Sequence, residues 1–120
     1  MKIGGNKQLE LQIKTANGQN AIGEAAAGWV TARVLTGWLD LLDGAVSYKT
    51  FNTKVQESTH VFVCDYVLLL YNGEEITPEC SRAVADGRYY DVKLIDNPMS
   101  MNEQLEIYLN YVGGQYVSTV

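Results

Sequence analysis

The sequence predicts a mainly β, antiparallel domain with a long, partly helical excursion between its second and third strands. Three observations predict it. Apolar and polar residues alternate with a period of two in several separate segments, and successive side chains of a strand point to opposite faces. An Asp-Gly pair joins two strand-like stretches in the C-terminal half, the chemistry of a tight hairpin. Between residues 37 and 58 the alternation fails. The 120 residues suit one domain, since a chain of this size buries about two-thirds of its unfolded surface in a single core.

The first strand is carried by Leu9, Leu11 and Ile13, with Gln8, Glu10 and Gln12 between them. Residues 17–28 are rich in small side chains and are expected as a loop. A second strand covers 29–35, where Val30, Ala32 and Val34 are set against Trp29, Thr31, Arg33 and Leu35. Trp38, Leu39, Leu41 and Leu42 then take helical spacing until Gly44, and 48–57 has no clean period. Residues 37–58 are therefore expected as an excursion, and one of that length in so small a domain is usually functional or disordered. Residues 59–66 are β-like, 67–71 extend them, and Asn72-Gly73 is a turn signal.

The last third reads as a three-stranded meander from Cys80 to Val112. Asp86 and Gly87 tolerate the positive φ of a type I′ turn, and a two-residue loop sets the register. Ala85 then pairs with Arg88, Val84 with Tyr89, Ala83 with Tyr90 and Arg82 with Asp91. The last pair places opposite charges across the ladder, worth about 0.2–1 kcal/mol. Ala83, Tyr90, Val92 and Leu94 are expected inside; Arg82, Val84, Tyr89, Asp91 and Lys93 outside. Asn97-Pro98 ends that strand, and Leu105, Ile107, Leu109 and Tyr111 alternate with Glu106, Tyr108 and Asn110 in the next.

Composition narrows the function classes. Nine Lys+Arg against 14 Asp+Glu give a net charge of −5, which argues against a general nucleic-acid binder held by phosphate contacts. Apolar residues are 47% and charged ones 19%, so the chain is not of the disordered class. The longest uncharged apolar run, 66–71, is far below the roughly 18 residues of a membrane span. No basic stretch leads into an apolar one at the start, so a protein made and kept inside a cell is expected. Cys64 and Cys80 are expected as small thiols rather than a disulfide, and with His60 they lack the clustering of a metal site. His60 has no evident catalytic partner. The carboxylate pairs Glu74-Glu75 and Asp40/Asp43 suit exposed turns. No catalytic residue, metal or cofactor is predicted. Tyr89 and Tyr108 fall on outward faces, and exposed aromatics suit protein–protein contact.

The order of the motifs resembles a known family. Trp29-Val30-Thr31-Ala32-Arg33 precedes Val34, then comes Gly37-Trp38-Leu39-Asp40-Leu41-Leu42. Further on stand the stretch from Thr53 to Phe62, Cys64-Asp65-Tyr66 and Ile76-Thr77-Pro78. Asp86-Gly87-Arg88-Tyr89-Tyr90-Asp91-Val92 and Ile95-Asp96-Asn97-Pro98 precede the last strand. From Lys7 to Val112 this is similar to the head–tail joining proteins of tailed bacteriophages, also called head-closure, head-completion or stopper proteins. The resemblance implies a small antiparallel β-barrel that assembles as a homo-oligomeric ring in the virion neck. It implies a portal or adaptor ring above, a tail-terminator or tail below, and DNA passing transiently through the ring. It implies that the loop between the second and third strands, 37–58 here, closes the channel, with Lys49, Asn52 and Lys54 as channel-facing candidates. Trp38, Leu41, Tyr89 and Tyr108 become subunit-interface candidates, and Arg82, Asp86, Gly87 and Asp91 structural residues of the hairpin. Residues 1–6 and 113–120 are candidate arms. A tail-terminator or other neck ring, and a single-stranded nucleic-acid-binding barrel, stand as alternatives.

Overall fold

Leu9 and Leu11 share one phase of the first alternating segment, and both are wholly buried. That alternation organises the molecule, a computed structural model that describes residues 4–19, 25–42 and 57–115. Among the described residues eight strands follow one another: β1 Lys7–Gln19, β2 Ala25–Leu41, β3 His60–Asp65, β4 Leu70–Tyr71, β5 Glu74–Glu75, β6 Ser81–Ala85, β7 Arg88–Asp96 and β8 Gln104–Gln115. Six of them make one antiparallel sheet in the order β1-β2-β3-β8-β7-β6. β6 pairs back onto β1 from Glu10↔Val84 to Ile13↔Ser81, so the sheet closes into a barrel. Closure removes free sheet edges where the ladders overlap. β4 and β5 form a separate two-stranded hairpin around Asn72-Gly73.

The core fills the barrel from all sides. Phe62 of β3 and Leu9, Leu11, Ile107 and Leu109 are fully enclosed, each worth about 1.5–3 kcal/mol of burial. The β6–β7 hairpin adopts the register expected from its turn, from Ala85↔Arg88 to Arg82↔Asp91. Asp86 and Gly87 hold φ of 52° and 74°, which Gly87 takes without steric cost. Lys7 Nζ reaches Asp86 Oδ2 at 2.9 Å and ties the start of β1 to that turn.

Several expectations are corrected. Residues Gly37 to Leu41 are strand, not helix: Gly37 pairs with Lys7 on one side and Cys64 on the other. Among the described residues no α-helix occurs. The apparent helical spacing arises because Leu39 packs on the core, Trp38 is exposed on the outer face, and Leu41, in the phase of Leu39, is exposed at the end of the strand. Of the loop expected at 17–28, residues 17–19 and 25–28 are strand, since β1 runs to Gln19 and β2 begins at Ala25. Of the arm expected at 113–120, residues 113–115 are strand, because β8 continues to Gln115 and pairs with Arg88 there. Leu94 is the fourth correction. The register slips between Val92 and Leu94, so Lys93 is an extra, bulged residue. Beyond it Leu94 shares the outward rung of Tyr108, and Ile95 takes the inward place opposite buried Ile107. Residues 43–56, with Lys49, Asn52 and Lys54, lie outside the described residues.

Candidate functional site

Outward rungs are built by the same alternation that fills the core. On the side formed by β6 and β1, Arg82 lies opposite Asp91 on β7 and Gln12 on β1. The guanidinium makes no ion pair with Asp91. Its Nε donates to Gln12 Oε1 at 2.7 Å. Its carbon sits 4.3 Å from the ring centroid of Trp29 and 4.3 Å from that of Tyr89. An exposed ion pair contributes about 0–1 kcal/mol; a cation over an aromatic face contributes about 0.5–1 kcal/mol per ring at exposed sites. Two rings and a hydrogen bond therefore outweigh the cross-strand carboxylate. Gln12 is nearly buried, and its amide nitrogen donates to Glu10 Oε2, so both ends of the amide are used. The result is an oriented stack of Trp29, Arg82 and Tyr89 on the outer wall.

A second face lies on β3 and β8. Trp38, Val63, Glu106 and Asp96 form one outward rung, and Asp40, Val61, Tyr108 and Leu94 form the next. Trp38 is 43% exposed. Glu106 is held from both sides: Tyr108 Oη donates to Oε1 at 3.0 Å, and Gln104 Nε2 to Oε2 at 2.8 Å. Burial pushes the Tyr108 hydroxyl up to about 12, with the hydrogen bond and charge of Glu106 adding to it. The hydroxyl therefore remains a donor throughout the neutral range. Asp96 faces Glu106 directly across the ladder, a like-charge juxtaposition that costs stability in the isolated chain.

The predicted residues thus separate. Tyr89 and Arg82 belong to the first face, Trp38 and Tyr108 to the second. Leu41 lies at the end of β2, paired with His60 and 72% exposed. Asp86 and Gly87 form the hairpin turn as expected. Asp91 is in the expected register, without the expected ion pair. Trp29, Gln12 and Glu106 were not singled out as site residues. Their alternation signal is plain, but their roles depend on which strands become neighbours, and β1 meets β6 only on closure.

His60 is structural in its contacts. Nδ1 lies 2.8 Å from Thr59 Oγ1, and the ring meets Tyr90 edge-on at 5.2 Å. Burial, with Arg88 adding to it, holds its pKa below the ordinary 6.5. Cys64 and Cys80 are free thiols; burial pushes Cys64 up to about 11, which leaves it a poor nucleophile. Among the described residues no cluster of three or more His, Cys, Asp or Glu could hold a metal ion, and no helix is long and apolar enough to cross a membrane.

Compared with protein-family models the chain matches none, and no curated protein matches it.

Proposed function

We propose that the chain is a virion structural protein of a tailed bacteriophage, a non-enzymatic subunit of a head-completion (stopper) ring that joins head to tail in the neck. The observation that carries this reading is a small closed barrel whose outer wall bears two unlike aromatic faces. A ring subunit needs two different surfaces, because head-to-tail contacts close into rings. The order of sequence motifs that resembles the head–tail joining proteins supplies the biological setting. A net charge of −5 suits a ring through which DNA slides, since tight grip requires many phosphate contacts. Under this reading the segment between β2 and β3 closes the channel. β2 runs to Leu41 and β3 begins at His60, so the segment between them spans 42–59 rather than 37–58.

The test uses DNA-filled heads that carry the adaptor ring and lack this protein. Purified chain added to them is expected to raise the amount of nuclease-protected DNA. A chain deleted within 43–56 is expected to keep the β circular-dichroism spectrum and bind the heads without protecting the DNA. Equal DNA loss with and without the full chain overturns the reading. Addition to isolated tails instead of heads favours the tail-terminator alternative. The Trp29–Arg82–Tyr89 stack also offers the aromatic and Arg surface of a single-stranded nucleic-acid-binding barrel. Salt-dependent binding of a labelled oligonucleotide checks that second reading.

A further inference from the structure

Where β3 and β7 end and β8 begins, a cavity of about 200 Å³ lies between the β4–β5 hairpin, the turn at Pro78–Cys80 and the barrel. Buried Leu69, Ile76 and Leu105 line it with Ile95. Two of its polar members are engaged elsewhere. Thr77 Oγ1 donates to Cys80 Sγ at 3.3 Å. The Asn97 side chain is clasped to Asn102: Nδ2 donates to Oδ1 at 2.7 Å, and Oδ1 accepts the Asn102 backbone N–H at 3.0 Å. The interior therefore suits an apolar group. It is smaller than the roughly 300–1,000 Å³ of a small-molecule site, so one large side chain fits it better than a free ligand. The rim is apolar and exposed. Leu68, which lines the cavity, is 61% exposed, and Met99, on the loop that leaves Asn97, is 88% exposed. Met99 stands on left-handed backbone, φ 55°, uncommon for a residue with a side chain, and the Asn97–Asn102 clasp closes that loop. A flexible thioether held out in solvent suits an adaptable docking surface.

Charge selects the occupant. Residues 65–81 and 94–115 contain no Lys or Arg. Glu75 lines the cavity, and Glu74, Glu79 and Asp96 each adjoin a lining residue in sequence. Glu103 accepts the Tyr66 N–H on its carbonyl at 3.3 Å. Neighbouring strands add Arg33, whose charge is felt at Cys64, and Lys14, one residue past the Ile13↔Ser81 pair. Lys93 is paired with Glu57 at 3.9 Å. Five carboxylates against two cations leave this end of the barrel acidic, which disfavours an anionic membrane surface. A second copy is also a poor occupant. No two of the nine Lys+Arg stand closer than five positions (Lys2 to Lys7, Lys49 to Lys54, Arg88 to Lys93), so no segment of this chain concentrates cations. We propose that this end of the barrel binds a basic, amphipathic segment of a different protein. One large apolar side chain of that segment enters the cavity, its other apolar residues lie on Leu68 and Met99, and its Lys or Arg residues meet Glu74 and Glu75. The proposal does not depend on the head-closure reading.

The probe is a fluorescein-labelled peptide of Leu and Lys in helical period, titrated with the full chain and followed by anisotropy. It is expected to bind more tightly than a Ser/Lys peptide of equal charge and a Leu/Glu peptide of equal apolar content. Leu68→Ser and Met99→Ser are each expected to weaken binding about tenfold, and so is the double change Glu74→Gln with Glu75→Gln. Asp40→Asn removes an exposed carboxylate near the His60 end of β3, away from the cavity, and is expected to leave binding unchanged. Methyl resonances of Met99 and Met101 are expected to shift as the peptide is added. No binding near about 1 mM, equal binding of either control peptide, equal weakening by Asp40→Asn, or unmoved methyl resonances each overturn the proposal. Melting curves report whether the variants fold; should Leu68→Ser fail to, Met99→Ser at its more exposed position carries the same test.

Discussion

Gly37 is the residue at which two ladders meet, and a side chain there has nowhere to go. A Cβ at this position would strike the carbonyl oxygen of Val63 and crowd Phe62 and Cys64. Gly37→Ala is therefore expected to destabilise the fold by about 1–3 kcal/mol, the usual cost of overpacking, measured by urea unfolding. Nothing local in Thr36-Gly37-Trp38 announces this, because the cause is a strand that arrives from far along the chain. His60 gives a second prediction. Its folded-state pKa lies below the ordinary 6.5, so the neutral ring is the form that the fold favours. Its contribution is present above pH 6.5 and is lost as pH falls through the folded value. Melting temperature is expected to drop between pH 7.5 and 5.5 in wild type and to drop less in His60→Gln. Arg82 shows how far residue chemistry can be read ahead of the fold. Turn chemistry places it opposite Asp91 correctly, yet its real partners are Gln12 and two rings, and two of these three groups lie on strands far away in sequence.

At the scale of the element, β7 separates what local pattern reveals from what it hides. The Asp86-Gly87 turn is legible because both residues act through their own backbone angles, and all four predicted pairs follow. Gly87→Ala is expected to lose about 1–2 kcal/mol by forcing an alanine into the left-handed region, again by urea unfolding. The bulge at Lys93 is not legible, since alternation through Tyr90, Val92 and Leu94 looks unbroken. Ile95 packs against the core while Leu94 shares the outward rung of Tyr108. Ile95→Ala is accordingly expected to cost on the order of 2 kcal/mol, and Leu94→Ala clearly less; the opposite ranking would restore the unbulged strand. β2 failed in the same way. Its second half reads as the start of a helical excursion because a partly buried Leu39 between exposed neighbours mimics a helical stripe.

For the whole molecule, closure is a long-range event. β1 must find β6 through the ladder from Glu10↔Val84 to Ile13↔Ser81, and topologies dominated by such pairings fold slowly. Refolding followed by Trp fluorescence in a stopped-flow mixer is expected in about milliseconds to seconds, with Gly37→Ala accelerating unfolding. The β class and most strands are legible from alternation, and the barrel is what the family resemblance implies; the order β1-β2-β3-β8-β7-β6 is not legible, because no local residue states which distant strand it will meet. The path of β2 carries one more consequence. Trp29 and Trp38 lie on this single strand but belong to opposite faces, separated by about 30 Å at the usual rise per residue. One unbroken stretch of backbone therefore crosses the molecule from one face to the other. A pull between the two faces is borne along covalent bonds rather than across the softer side-chain packing of the barrel.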